Sequence, residues 1–207
     1  MNFEEMTLEQ VKSLPLVVKN WLITVISDNH SDIEIDAQNF DEEFASYCED
    51  YNPVMYLEEP IADEDFNFDD EYAIVIVKGN VSVKTLSLFG TGHLLILGDV
   101  TVDTLLTQDC DITILGNLTA KKHCILCDDF PCLEVSGTLS SPLLLNLTDS
   151  DEGGQFISVE NWDIKSVGVF KNSSGIKASQ KLLQSLGFEE INVLTDEDME
   201  KIWSEVS

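Results

Sequence analysis

The chain has 207 residues, of which 43% are hydrophobic, so it is long enough to bury a core and is not disordered throughout. It carries 39 Asp and Glu against 11 Lys and no Arg, a formal net charge of -28. A field of this sign repels nucleic acids and anionic membranes and attracts basic proteins. The absence of Arg also argues against a phosphate site, because the planar guanidinium suits phosphate best.

The sequence has no secretory or membrane signal. The first ten residues, MNFEEMTLEQ, lack the cationic and apolar regions of a signal peptide. No apolar run approaches the roughly 20 residues that a membrane-spanning helix needs. Five cysteines, an odd number, do not suggest a disulfide framework. We therefore expect a soluble, cytoplasmic protein.

The first segment, residues 1–71, holds about half of the carboxylates and predicts helices and loops that cap the rest of the chain. Thr7 and Gln10 have the spacing of a capping box, which predicts a helix start. Pro15 interrupts or restarts that helix, and the apolar run after it fits a helix or a strand. Aromatic residues at steps of three and four in 40–51 predict a short helix with one aromatic face.

The second segment, residues 72–170, repeats a short phrase. The phrases are GNVS, GDVT, GNLT and GTLS, and they begin at Gly79, Gly98, Gly116 and Gly137. Aliphatic residues stand two and four places before each glycine and two places after it, which is the period of a strand. An interval of about 20 residues is typical of a solenoid, and helical and leucine-rich repeats do not fit.

These observations predict a parallel β-helix in which the glycines form corners and the aliphatic residues stack in a closed core. Polar residues are expected to alternate outward, and at least one further coil is expected in residues 155–170. The sequence leaves the handedness of the winding and the oligomeric state open.

The last segment, residues 171–207, returns to helical periodicity. Leucines share one face of residues 179–188, where Gly187 is a stop signal, and a second helix is expected over 196–206 with Thr195 as its N-cap. The predicted fold class is therefore mainly β: a single-stranded parallel β-solenoid with α-helical flanking segments at both ends.

The strongest candidate for a metal site is the stretch HCILCDDFPC, which holds His123, Cys124, Cys127 and Cys132. Zinc binds Cys and His at short spacing, but the second cysteine pair is irregular. We expect buried core cysteines instead, with Cys110 and Cys127 at similar places in successive coils, and zinc remains the alternative. The motifs of nucleophilic hydrolases, calcium loops and phosphate loops are missing. We predict no enzyme activity, no metal site and no cofactor.

The acidic stretch that ends at Glu71 interleaves phenylalanines with carboxylates. It is either a solvated linker or a surface for a basic protein, on which the rings anchor and the carboxylates pair with Lys or Arg. The second reading predicts these contacts: Asp63, Glu64, Asp65, Phe66, Phe68, Asp69 and Asp70.

The repeated phrases and their flanking aliphatics, over about residues 72–147, resemble those of bacterial β-solenoid proteins. One kind comprises acidic immunity-type proteins of polymorphic toxin systems, and a more distant kind is the polymer-forming bactofilins. The first resemblance implies an immunity protein that neutralises a cognate basic toxin, such as a nuclease, by covering its active site. The second implies a structural or scaffolding solenoid. Folded flanks depart from the bactofilin pattern, because covered edge strands do not readily join end to end.

Overall fold

The structure is a computed structural model that describes residues 3–51, 53–62, 65–69, 74–127, 132–148 and 156–206. The chain forms a parallel β-solenoid of about six turns with helices at both ends, which confirms the predicted fold class. None of the helices in the described ranges is both long and apolar enough to cross a membrane.

The elements follow one another in three groups. The N-terminal group is β1 (Glu4–Glu5), α1 (Leu8–Ser13), α2 (Leu16–Asn29) and α3 (Phe40–Asp50). The solenoid contains β2 (Val54–Leu57), β3 (Asp65–Asp69), β4 (Ile74–Val77), β5 (Val81–Phe89), β6 (His93–Ile96), β7 (Val100–Gln108), β8 (Asp111–Ile114), β9 (Leu118–Cys127), β10 (Cys132–Ser141), β11 (Leu143–Leu147), β12 (Phe156–Ile164) and β13 (Val167–Phe170). The C-terminal group is α4 (Ile176–Ser185), β14 (Ile191–Leu194) and α5 (Asp196–Val206).

Each turn of the solenoid contributes to three parallel faces. The first face stacks β2, β4, β6, β8 and the starts of β10 and β12. The second face stacks the first halves of β5, β7 and β9 on the ends of β10 and β12. The third face stacks β3, the second halves of β5, β7 and β9, then β11, β13 and β14. Inward aliphatics of all three faces form one core.

A ladder of side chains joins the glycine corners from coil to coil. Asn80 Oδ1 accepts a hydrogen bond from the backbone N–H of Asp99 at 2.9 Å, and Asp99 Oδ1 accepts one from the N–H of Asn117 at 2.7 Å. Asn117 Oδ1 continues the ladder to the N–H of Thr138 at 3.0 Å. The short polar residue after each of the first three repeat glycines therefore satisfies a backbone donor of the next corner.

The glycines of the repeat are required by close approach between corners. A Cβ on Gly98 would lie 2.3 Å from Asn80 Oδ1 and 2.7 Å from the carbonyl oxygen of Gly79. A Cβ on Gly116 would lie 2.6 Å from Asp99 Oδ1. The predicted corners are confirmed, and the structure adds that successive corners stack directly on one another.

The N-terminal helices pack on the outer side of the first face. Ile74, Ile76 and Leu95 point outward there and share a buried cluster with Val18 and Leu22 of α2. The strands IVIV and HLLI are therefore apolar on both sides, as expected for a covered parallel sheet. The expected polar exterior does not hold on this face.

The start of the solenoid also differs from the predicted segments. Strands β2 and β3 pair with β4 and β5 and form the first turn, although they lie within residues 1–71. The predicted capping box at Thr7 and Gln10 is present. The apolar run after Pro15, which fits either a helix or a strand by its sequence, is the helix α2. The predicted aromatic helix is α3.

The C-terminal helices have different contacts. Leu183 of α4 belongs to the solenoid core, and the Phe188 ring after it packs edge-on against Trp162 at 5.3 Å between centroids. Helix α4 begins at Ile176, three residues before the predicted start, and Gly187 follows its end with φ +93°. Helix α5 packs through Met199 and Ile202 on the outer side of the third face. The predicted N-cap of α5 is confirmed, because Thr195 Oγ1 accepts a hydrogen bond from the N–H of Asp198.

Candidate partner-binding surface

The predicted contact segment contains an edge strand of the third face. β3 pairs in parallel with the second half of β5. Asp65 is exposed, whereas Phe66 and Phe68 are only 2% and 4% exposed and belong to the solenoid core. Three of the remaining predicted contacts lie outside the described residues: Asp63, Glu64 and Asp70. The backbone of Asp69 belongs to β3, but its side chain is not described.

The burial of Phe66 and Phe68 corrects their predicted role as partner anchors. The two rings lie on the same side of β3 because side chains alternate along a strand, and that side faces the core. Phe66 also stacks on Phe3, with 6.2 Å between ring centroids. The alternation D-F-N-F-D fits interleaved contacts with a partner, but it also has the period of a strand with one buried face. The structure shows the second arrangement.

The cysteines do not converge on a metal site. Cys124 points into the core and is fully buried, whereas Cys127 packs in the cluster on the opposite side of β9, so the two thiols face away from each other. Cys127 is in register with Gln108, so the expected alignment with Cys110 is wrong. Within the described ranges, no three Cys, His, Asp or Glu residues form a group that could hold a metal ion.

His93 links α2 to the first face of the solenoid. Its Nδ1 lies 3.1 Å from Asp111 Oδ2, and its Nε2 lies 2.9 Å from Asn29 Nδ2. The Asn29 contact at Nε2 joins α2 to β6, whereas Nδ1 is buried near the Asp111 carboxylate without making a hydrogen bond to it. His93 therefore lies between α2 and the solenoid with one ring nitrogen in contact with each side and only Nε2 within a hydrogen bond.

The most exposed large apolar side chains lie at the start of α2. Leu16 is 67% exposed and Val17 is 52% exposed. Leu16 lines a groove of about 480 Å³ between α2 and the start of α3. Val17 lines a second groove of about 340 Å³ between α2 and the first face of the solenoid. These two adjacent exposed aliphatics lie between the two grooves and form the largest exposed apolar pair among the described residues of the N-terminal helices.

Carboxylates border both grooves. Asp41 and Glu42 of α3 line the first, and Glu134 of β10 lines the second. Lys19 is a cation in the first groove, but its Nζ lies 3.9 Å from Asp41 Oδ1 and 5.6 Å from the centroid of the Phe40 ring. We call Leu16, Val17, Asp41, Glu42 and Glu134 together the Leu16 surface.

The sequence alone did not single out the Leu16 surface. The run LVVKNWLITVI is apolar around most of the helix, so its pattern does not show which residues are buried. The exposed pair becomes visible only once Val18 and Leu22 are seen against the solenoid.

Comparisons with protein-family models, with curated proteins and with solved structures found no match in any of the three.

Proposed function

We propose that this protein is an acidic inhibitor: an immunity protein that neutralises a cognate basic toxin, such as a nuclease, by covering its active site. The observation that carries the proposal is the net charge of -28 on a chain without Arg. Such a field attracts basic proteins and speeds their association, at low salt toward roughly 10⁸–10⁹ M⁻¹s⁻¹.

Little of this charge is neutralised inside the molecule. Ion pairs between described residues engage only six carboxylates, and two of these pair with a histidine: Asp41, Glu58, Asp103, Asp111, Asp196 and Glu205. The other described carboxylates have no ion-pair partner among the described residues, so no cation neutralises their charge there.

The stacked coils favour binding for a second reason. Residues on neighbouring coils are held in register by paired strands, so exposed charges on them are fixed before a partner arrives. The proposed charged contacts near β3 remain Asp63, Glu64, Asp65, Asp69 and Asp70, and of these the structure describes the side chain of Asp65, which is exposed.

The test is binding to the basic protein encoded by the neighbouring gene, measured by calorimetry at low and moderate salt together with protection from its toxicity. We expect affinity to fall at least about tenfold as salt rises, and to fall again in Asp65→Lys/Asp69→Lys. The matched control, Glu189→Lys/Glu190→Lys, changes the charge equally at two exposed sites after α4. If the affinity changes neither with salt nor with charge reversal at β3, the electrostatic mechanism is wrong. If the protein does not protect against the toxicity of its partner, the proposed function is wrong.

A scaffolding solenoid is the second candidate. β14 pairs with β13 and is the last strand of the third face, and its Val193 is 48% exposed. An open edge of this kind can accept a further strand. Electron microscopy of the purified protein distinguishes the two functions, since filaments favour the scaffold and discrete particles favour the inhibitor.

A further inference from the structure

We infer that the Leu16 surface is the docking site for the basic protein partner, with Leu16 and Val17 as its apolar anchors. This inference rests on the proposed function, and it adds an apolar contact beside the first face to the charged contacts proposed near β3. A partner that covers these two exposed aliphatic side chains removes their apolar area from water, which favours binding.

The exposure of the two anchors is not a consequence of a loose helix. Val18, Leu22 and Ile26 lie on the opposite side of α2, are fully buried and fix the helix against the solenoid. Leu16 and Val17 are therefore presented on a rigid element, and a partner loses little conformational freedom by binding them.

Hydrogen bonds across the second groove hold its acidic border in place. Trp21 Nε1 donates to Thr113 Oγ1 at 3.1 Å, and Thr113 Oγ1 donates to Glu134 Oε2 at 3.4 Å. Val17, Trp21, Thr113 and Glu134 all line this groove. The carboxylate at its border is thus positioned before binding.

The charge of the grooves selects the class of partner. Three carboxylates line them, and because Lys19 pairs with Asp41, the two that have no ion-pair partner among the described residues are Glu42 and Glu134. A protein surface with Lys or Arg around an apolar contact complements this arrangement. A second copy of this chain would bring like charges together across the same face, which is unfavourable.

The decisive variant is Leu16→Ser/Val17→Ser, which removes both anchors without touching a buried residue. Serine has a helix propensity close to that of valine and only moderately below that of leucine. The matched control is Val193→Ser, which removes an aliphatic side chain of similar exposure from the other end of the molecule. Circular dichroism and thermal unfolding of each variant establish that it is folded, and the single variant Leu16→Ser replaces the double variant if that one is not.

Affinity for the basic protein encoded by the neighbouring gene is measured by calorimetry at one salt concentration. We expect the double serine variant to bind about 30-fold or more weaker, because two aliphatic side chains lose their burial. The Val193→Ser control is expected to bind within about twofold of wild type. Glu42→Gln/Glu134→Gln is expected to weaken binding and to reduce its dependence on salt.

The outcomes separate this inference from the proposed function. If wild type binds and protects but the double serine variant binds as tightly, the docking site is wrong and the function stands. If wild type neither binds nor protects, the proposed function fails and the docking site fails with it. A dimer of the wild-type chain in sedimentation velocity that the double serine variant abolishes assigns the face to a second copy and overturns the inference.

Discussion

Trp21 of α2 donates a hydrogen bond from its indole Nε1 to Thr113 Oγ1 in β8, at 3.1 Å and across 92 positions of the sequence. The Thr113 hydroxyl in turn donates a hydrogen bond to Glu134 Oε2 in β10. The N-terminal helices are therefore joined to the middle of the solenoid by a directional bond as well as by apolar packing. This position also borders the groove on which Val17 lies.

The Trp21–Thr113 bond predicts a coupled loss of stability. Trp21→Phe keeps an aromatic ring and Thr113→Val keeps the shape, so each change chiefly removes the bond, and each is expected to cost about 1 kcal/mol. A double-mutant cycle by urea unfolding measures the coupling, which is expected to be about 1 kcal/mol. Thr101→Val on the second face, in register with Ser82 and Thr119, is the control for the substitution itself. Strict additivity of the two changes would show that the bond contributes nothing.

The stacked corners predict that the repeat glycines are not interchangeable with alanine. Gly98→Ala is expected to destabilise the fold by about 3 kcal/mol, because its Cβ meets polar atoms of the corner below and overpacking costs about this much. Gly168→Ala in β13 is the matched change, since its Cβ would lie 3.3 Å from the nearest atom, a terminal methyl of Leu194. Urea unfolding is expected to show a loss there of less than about 1 kcal/mol. Equal losses at the two sites would contradict the role assigned to the corners.

His123 predicts a pH dependence of stability. Burial lowers the pKa of His123 below its ordinary value of 6.5, against an opposing effect of the Glu205 carboxylate, whose Oε2 lies 3.8 Å from Nε2. As pH falls through 6.5, the unfolded chain takes up the proton before the folded one does. The stability present above this pH is therefore lost as the pH falls toward the folded-state pKa.

The measurement is the free energy of unfolding of wild type and of His123→Gln at about pH 7.5 and about pH 5.5. Other groups and the overall charge also respond to pH, so the quantity that decides is the difference between the two proteins. We expect wild type to lose more stability on acidification than the glutamine variant. Parallel behaviour of the two would mean that the imidazole titrates alike in both states.

The core cysteines predict differential thiol reactivity. Burial raises the pKa of Cys124 and of Cys110 to about 12, and both side chains are inaccessible. At about pH 8 neither is expected to react with a small thiol reagent in the folded protein, because the thiolate is the nucleophile. In denaturant all five cysteines react. Mass spectrometry locates the labels, and rapid native labelling of Cys124 would contradict its place in the core.

Much of the fold can be predicted from local patterns in the sequence. Thr7 with Gln10, and Thr195 with Asp198, mark helix starts because capping is a local interaction over three residues. The solenoid can be predicted because the glycine phrases recur at a nearly constant interval and the inward-facing residues alternate along each strand. The sequence does not predict the first turn, because β2 and β3 lack the repeated glycine phrase and the acidic, aromatic composition of β3, DFNFD, fits a loop as well as an edge strand.

The candidate site was less predictable than the fold. Composition predicts the sign of the charge on the proposed partner, because net charge is a sum over residues and does not depend on their arrangement. It does not identify the anchors. Phe66 and Phe68 are in the core, while Leu16 and Val17, inside a run that looks like core, are on the surface.

The sequence by itself determined that this chain is an acidic β-solenoid flanked by helices, because capping, alternation and repeat length act over short distances along the chain. Only the tertiary structure decided which apolar residues are covered. The outer sides of the first and third faces are buried under α2 and α5, and that burial depends on partners distant in sequence. Leu16 and Val17 are exposed because the residues of α2 that pack on the solenoid lie on the other side of the helix.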